Sequence, residues 1–224
     1  GEDTFFKGVK KLMPGHFLVW KNGTLTITRY WTPEFHPDES KTLEDWANEI
    51  HTTVQNVMPE VLARDESAEA FLSGGVDSSY VVAVSDVKMT DSCGYEEERF
   101  DESGLAKQTA DLLHRENSRC LITPEMYFDI VPYVMYEMEQ PLADASAIAF
   151  AIACKETAKH TKICYSGEGS DEFFGGYNMY RNATRYGDNL KTFYVGNTNI
   201  MKEDEKKRIL KHYNEDVLPI NLVK

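Results

Sequence analysis

The chain has 224 residues, with 24 Lys+Arg against 37 Asp+Glu and a formal charge of −13; this balance argues against a broad nucleic-acid footprint, which needs clustered cations to displace counterions. A composition 42% hydrophobic and 12% aromatic can fill one or two cores, which excludes wholesale disorder, and no apolar run approaches the ~18 residues of a membrane-spanning helix. The N-terminus lacks the basic-then-apolar order of a signal peptide, and Cys93, Cys120, Cys154 and Cys164 form no C-x-x-C pair, so they read as reduced core residues of a cytoplasmic protein, not as a disulfide frame or zinc site.

Residues 16–31 predict a β-hairpin: Asn22-Gly23 supplies the positive-φ pair of a type I′ turn, and Leu25 and Ile27 alternate with Thr24, Thr26 and Thr28. Residues 32–41, with Pro33, Pro37 and mixed charges, read as a linker. Thr42 then starts a helix, with Asp45 completing an imperfect capping box. Leu43, Trp46, Ile50, Val54, Val57 and Val61 recur at helical spacing and predict one packing stripe, which Pro59 is expected to kink or end.

From Ala68 the pattern changes. The apolar run 68–72 leads into Ser73-Gly-Gly-Val-Asp-Ser-Ser79, and residues 80–84 are apolar again, so the order is strand, glycine turn, helix. Further strand-like runs at 87–95, 118–123 and 162–166 are separated by helix-like segments at roughly 102–114, 125–138 and 146–159. That alternation predicts an α/β fold, a parallel twisted sheet flanked by helices, with the hairpin in front of it. A short amphipathic helix is expected at 202–214, with Ile209, Leu210 and Tyr213 on its apolar side, and 215–224 carries no clear signal.

Two loops could carry chemistry. In S-G-G-V-D-S-S, Gly74 and Gly75 let backbone N–H groups approach an anion, and Ser78 and Ser79 add hydroxyls at a helix start, where the macrodipole favours negative charge. It is a phosphate cradle, yet not a Walker A loop, because G-x-x-x-x-G-K-[ST] is absent. Asp77 beside a bound phosphate is repulsive unless Mg²⁺ lies between the two. The second loop, S-G-E-G-S-D-E-F-F-G-G-Y from Ser166 to Tyr177, follows the last strand. It gathers Glu168, Asp171 and Glu172 between glycines, a costly grouping without a cation or charged substrate.

Together these motifs resemble a known family. S-G-G-V-D-S-S resembles the pyrophosphate loop of the N-type ATP pyrophosphatases (adenine-nucleotide alpha-hydrolase-like), and the second loop narrows the likeness to the synthetase domain of glutamine-hydrolysing asparagine synthetases. Residues 6–16 (F-K-G-V-K-K-L-M-P-G-H), Tyr30-Trp31, 94–103 (G-Y-E-E-E-R-F-D-E-S) and 141–148 (P-L-A-D-A-S-A-I) agree with it, and the likeness spans about residues 4–214. The resemblance implies ATP bound by Leu72, Ser73, Gly74, Gly75, Asp77, Ser78, Ser79, Cys93, Ser166 and Gly167. It implies Glu168 and Asp171 at the reacting centre, and Mg²⁺ on Asp77 and Asp171. Cys93 stands where the family usually has Val against the adenine, and Gln140 where Glu is common. The implied reaction joins the aspartate side-chain carboxylate to AMP, after which ammonia displaces AMP to give asparagine.

The same likeness implies a domain plan in which 1–35 is the tail of a glutaminase domain plus linker and 36–224 is the synthetase domain, shortened at its C-terminus. With Gly1 first and no cysteine before Cys93, glutamine hydrolysis is not expected in this chain, and ammonia would come from a glutaminase domain or chain in trans. Small-molecule partners (ATP, aspartate, ammonia) are expected, and nucleic acid and membrane are not. A homodimer is one partner considered for this chain. Two alternatives stand beside this reading: a related amidating or cyclising synthetase such as β-lactam synthetase, and a catalytically inactive nucleotide-binding fragment. His16, His36, His51, His114, His160 and His212 are scattered without an acid or base partner at a telling spacing, so surface or packing roles are expected. Met126, Met135 and Met138 with Tyr127, Tyr133 and Tyr136 read as helix core, Glu96–Glu98 as a solvated turn, and 205–211 as a solvated helix face.

Overall fold

In the computed structural model the chain is described at residues 2–62, 67–140, 144–178, 180 and 203–212. These fall into two compact units, 2–47 and 48–212. The first holds the hairpin, β1 (His16–Lys21) and β2 (Thr24–Arg29), antiparallel with Lys21 opposite Thr24. That register leaves Asn22 and Gly23 as the turn, with φ of 51° and 78°, the type I′ geometry their sequence predicts. Thr42 caps helix α1 (Leu43–Leu62): its N–H donates to Asp45 Oδ2 at 2.8 Å, and the Asp45 N–H donates back to Thr42 Oγ1 at 3.2 Å. This reciprocal pair satisfies two donors at the helix start.

Pro59 neither ends the helix nor bounds it, because α1 runs on to Leu62. A proline one turn from the C-terminus forfeits only its own bond to the preceding turn. The apolar stripe is half-buried along Ile50, Val54, Met58 and Val61, while Leu43, Trp46 and Val57 are exposed. Steps of four, four and three residues follow one line on the helix, and Val57 lies one residue off it.

The second unit alternates β3 (Glu69–Phe71), α2 (Val76–Val84), β4 (Met89–Tyr95), α3 (Ser103–Leu112), β5 (Glu116–Ile122), α4 (Pro124–Glu137), α5 (Ala145–Thr157), β6 (Cys164–Tyr165), α6 (Ser170–Phe174) and α7 (Glu203–Ile209). The strands form one parallel sheet in the order β5-β4-β3-β6. This is the predicted α/β architecture, with two additions. The glycine turn passes into helix at Val76, and the second loop carries the short helix α6. Of the last predicted helix, 203–209 is seen, and Tyr213 lies outside the described residues.

Both faces of the sheet are covered. Ala70, Leu72, Val82, Val87, Ala106 and Ala110 pack on the α2/α3 side. Ile122, Ile130, Val134, Ile148 and Ile152 pack on the α4/α5 side. The period of two along each strand sends Ala70 and Leu72 to one face and Phe71 to the other, where it meets Phe150 edge to face at 5.3 Å. Asp91 and Ser92 do not break β4 despite their polarity. Ser92 Oγ donates to the Leu72 carbonyl at 2.8 Å and accepts from Asn117 Nδ2 at 2.8 Å, so its hydroxyl is buried satisfied.

Two packing expectations need correction. On α4, Met126, Tyr127 and Met135 pack against the core, but Tyr133, Tyr136 and Met138 are exposed. The helical period sends Tyr133 and Tyr136 away from the core-facing side, whereas Met138 follows Ile130 and Val134 at steps of four but stands past the last helical residue, Glu137. All four cysteines are free thiols, as expected, yet Cys154 is exposed and not a core residue. Glu96–Glu98 is exposed as predicted, and its last residue opens a 3₁₀ turn at Glu98–Phe100.

Gly104 offers a stability test. It lies inside α3, and a Cβ there would meet nothing within 4 Å. Gly104→Ala is expected to stabilise the chain by about 0.5–1 kcal/mol, through lower unfolded-state entropy and better helix propensity; a thermal or urea melt showing no gain would contradict this.

Candidate functional site

β3 is the first strand of the sheet in sequence and pairs with β4 on one side and β6 on the other. The order therefore reverses between β3 and β6, and open α/β sheets place ligands in the crevice beyond the strand C-termini at such a switch point. Both glycine loops emerge there, one after Leu72 and the other after Tyr165. They touch through backbone: a Cβ on Gly167 would fall 2.8 Å from the Asp77 carbonyl carbon and 2.8 Å from the Ser78 nitrogen.

In the first loop the hydroxyls hold the backbone. The Ser73 N–H donates to Ser78 Oγ at 3.1 Å, and the Ser73 and Ser78 hydroxyls lie 2.9 Å apart. The Gly75 N–H donates to Ser73 Oγ at 3.2 Å, and Ser79 Oγ donates to the Gly75 carbonyl at 2.7 Å. α2 begins at once behind Gly75, and its first intrahelical bond runs from the Ser79 N–H to the Gly75 carbonyl. Helix geometry leaves the N–H groups of the first turn without intrahelical acceptors, which makes this end a site for an anion.

The second loop is shaped by left-handed Gly169 (φ 93°) and Gly175 (φ 66°), with α6 between them. Ser170 Oγ donates to the Gly167 carbonyl at 2.8 Å. Glu172 Oε1 accepts from the Tyr177 hydroxyl at 2.8 Å, and this bond pushes the phenol up to about 12. A Cβ on Gly176 would collide with the Asp171 carboxylate, so the glycine makes room for that side chain.

Between the loops lies a cavity of about 450 Å³. Leu72, Ser73, Gly75, Asp77, Ser78, Cys93, Ser166, Gly167, Glu168 and Asp171 all line it. Gly74 and Ser79 do not: they face the other way, where a Gly74 Cβ would meet the Leu105 side chain of α3 at 2.8 Å. Burial, aided by the neighbouring Cys120, pushes the Cys93 thiol up to about 12. It stays neutral and presents a weakly polar wall. A larger cavity of about 1200 Å³ between α4 and α5 includes Met126, Ile130, Val134 and Ile152 in its lining and has neither glycine loop at its rim.

The charged groups of the first cavity are acidic, set among apolar residues such as Phe71, Tyr95, Phe150 and Ala153. Among the described residues lining it are Asp77, Asp91, Glu168 and Asp171, and no Lys or Arg. Such a wall repels a polyphosphate unless a hard cation lies between, and Mg²⁺ prefers carboxylate and phosphate oxygens in this role. The residues present therefore fit that ion.

One grouping was not legible in the sequence. His160 has carboxylate partners after all: its Nδ1 lies 3.0 Å from Glu69 Oε1 and its Nε2 3.8 Å from Asp91 Oδ1. Burial, and next the adjacent Glu69 carboxyl, push the Asp91 carboxyl up to about 7. The strands bring these residues together across long stretches of chain, so no local spacing marks them.

The family described as Asparagine synthase matches residues 36–222, most of the chain. The chain belongs to the asparagine synthase family. "Asparagine synthetase [glutamine-hydrolyzing] 1" of Bacillus subtilis is 33% identical over 93% of this chain and 39% of its own length. "Asparagine synthetase [glutamine-hydrolyzing] 3" of the same organism is 26% identical over 80% of this chain and 32% of its own. "Amidase chry2" of Gibberella zeae is 30% identical over 80% and 30%, respectively. The chain thus spans about a third of the length of these curated family relatives. Among solved structures, the NH3-dependent NAD synthetase of Campylobacter jejuni is similar with a TM-score of 0.39 and 14% identity, over 72% of this chain and 82% of that one. Among the described residues no helix is long and apolar enough to cross a membrane.

Proposed function

We propose that this chain is the synthetase part of an asparagine synthetase: it adenylates the side-chain carboxylate of aspartate with ATP and hands the β-aspartyl-AMP to ammonia. The observation that carries this reading is the pair of glycine loops meeting at the switch point, backbone against backbone, around a cavity whose charged lining among the described residues is four carboxyl groups. The first turn of α2 and the Gly75 backbone receive the phosphates. Asp77 and Asp171 hold Mg²⁺, which supplies charge neutralisation for the departing pyrophosphate. Cys93 and Leu72 form the wall against which the base lies. Glu168, exposed at the mouth of the cavity, acts at the reacting centre.

The aspartate carboxylate oxygen bonds to the α-phosphorus as the bond to pyrophosphate breaks. Ammonia then bonds to the acyl carbon, AMP leaves, and the nitrogen sheds a proton. Two loops that hold both reactants in register can contribute ~7–11 kcal/mol to lowering such a barrier. Ammonia delivered by a glutaminase domain or chain in trans completes the scheme.

The test is product analysis with ATP, Mg²⁺, aspartate and ammonium. Asparagine, AMP and pyrophosphate in equal amounts are expected. AMP formation with other carboxylates and not with aspartate would instead assign a different acceptor. ATP binding with no AMP from any acceptor would reduce the chain to a binding module.

A further inference from the structure

Glu69, Asp91 and His160 come from three elements: β3, its neighbour β4, and the turn after α5. The period of two puts Glu69 and Asp91 on the same face of the sheet as Phe71, which packs on α5. Glu69 is 9% and Asp91 8% exposed, and each carries one buried oxygen, Oε2 and Oδ2, without a hydrogen-bond partner. Thr157 Oγ1, in the last turn of α5, is buried beside them, next to the Asp91 carboxyl. Buried carboxylate oxygens left unpaired are costly and uncommon in folded proteins.

Among the described residues the ion-pairing partner of both carboxylates is the one imidazole. One ligand atom from each residue can be chosen so that all three lie within 4.8 Å of one another. The 3.0 Å between His160 Nδ1 and Glu69 Oε1 is close to the edge of a tetrahedral sphere, roughly 3.4 Å for bonds of ~2.1 Å. Imidazole nitrogen with carboxylate oxygen suits Zn²⁺, Mn²⁺ and their neighbours, whereas Mg²⁺ and Ca²⁺ prefer oxygen alone. His160 is 42% exposed, so the cluster opens to solvent on that side and leaves room for water ligands.

We propose that Glu69, Asp91 and His160 form a binding site for a divalent transition-metal ion, separate from the magnesium pair Asp77 and Asp171. The ion ties β3, β4 and the end of α5 together under the nucleotide cavity, whose floor includes Asp91. This inference does not depend on the proposed reaction, and it is tested without substrates.

The probe is Zn²⁺, with Co²⁺ as its spectroscopic substitute, titrated into chelator-dialysed protein carrying Asp77→Asn and Asp171→Asn so that the phosphate side is silent. One equivalent is expected to bind, to raise Tm, and to give a visible Co²⁺ absorption band, with millimolar Mg²⁺ failing to compete. Asp91→Asn and Glu69→Gln should each weaken Zn²⁺ binding by roughly 100-fold or more and remove the Tm increment. His160→Gln changes a half-open side chain and serves as the variant that keeps its fold if a buried substitution does not; it should weaken Zn²⁺ similarly and abolish the Co²⁺ band. Absence of stoichiometric binding, or binding unchanged in His160→Gln, overturns the proposal.

Discussion

Asp77→Asn is expected to weaken Mg²⁺-dependent ATP binding by about 100-fold or more, equivalent to ~2.7 kcal/mol, with a larger loss in AMP formation. Asp77 sits in the first turn of α2, lines the cavity and belongs to a set of four carboxyl groups with no Lys or Arg among the described lining residues. Asparagine keeps the shape and the helix start but removes a formal charge from the metal's ligand set. Folding should be little changed. Losing the favourable interaction of a carboxylate with the helix N-terminus, about 0.3–1 kcal/mol, is offset by relief of repulsion from Glu168 and Asp171. Asp171→Asn should act in the same direction, and the double variant should lose less than the sum, since both carboxylates serve one ion. Isothermal titration with Mg·ATP, beside a thermal melt of each variant, decides it. Unchanged affinity in Asp77→Asn would remove the phosphate-loop assignment.

What could be foreseen from the sequence was what local chemistry dictates. Asn22-Gly23 requires positive φ at both positions, and the turn adopts it. Thr42 and Asp45 are three residues apart, and their side chains find each other's backbone. The strand–glycine–helix order around Ser73 and the glycines after Ser166 mark chain reversals, and alternation of elements places them beyond the strand C-termini of a parallel sheet. Direction within the loop was not legible. Once α2 starts at Val76, the 100° step per residue carries Ser79 off the cavity while Asp77 and Ser78 stay on it. The same limit applies to Gly74, which serves the approach of α3 and not the cavity wall. The Glu69–Asp91–His160 cluster lay still further out of reach. It exists because β3 pairs with β4 and α5 returns over that face, a consequence of topology that no spacing of residues records.

Gly167→Ala is the second large expected effect, and its cause is steric alone. Gly167 is not in the left-handed region, so alanine is tolerated by its backbone angles; the added Cβ is not tolerated by its neighbours. It would stand 2.8 Å from the Asp77 carbonyl carbon, 2.8 Å from the Ser78 nitrogen and 3.0 Å from Asp77 Cβ. Two of these are backbone atoms fixed by the hydroxyl network of Ser73, Ser78 and Ser79, so no rotamer change relieves them. The loops must separate by about 0.6 Å to restore ordinary contact at 3.4 Å. Overpacking of this kind costs about 1–3 kcal/mol of stability, and a displacement of that order at a binding centre can cost about 100-fold in rate. Two other glycines separate the causes. Gly169→Ala meets no atom within 4 Å but must hold φ of 93°, so it should cost ~1–2 kcal/mol of strain without forcing the loops apart. Gly104→Ala, free of both constraints, should stabilise. Melts of the three variants with Mg·ATP titrations should therefore rank binding loss as greatest for Gly167→Ala. If that variant binds Mg·ATP as the parent chain does, the contact between the two loops is not what shapes the cavity.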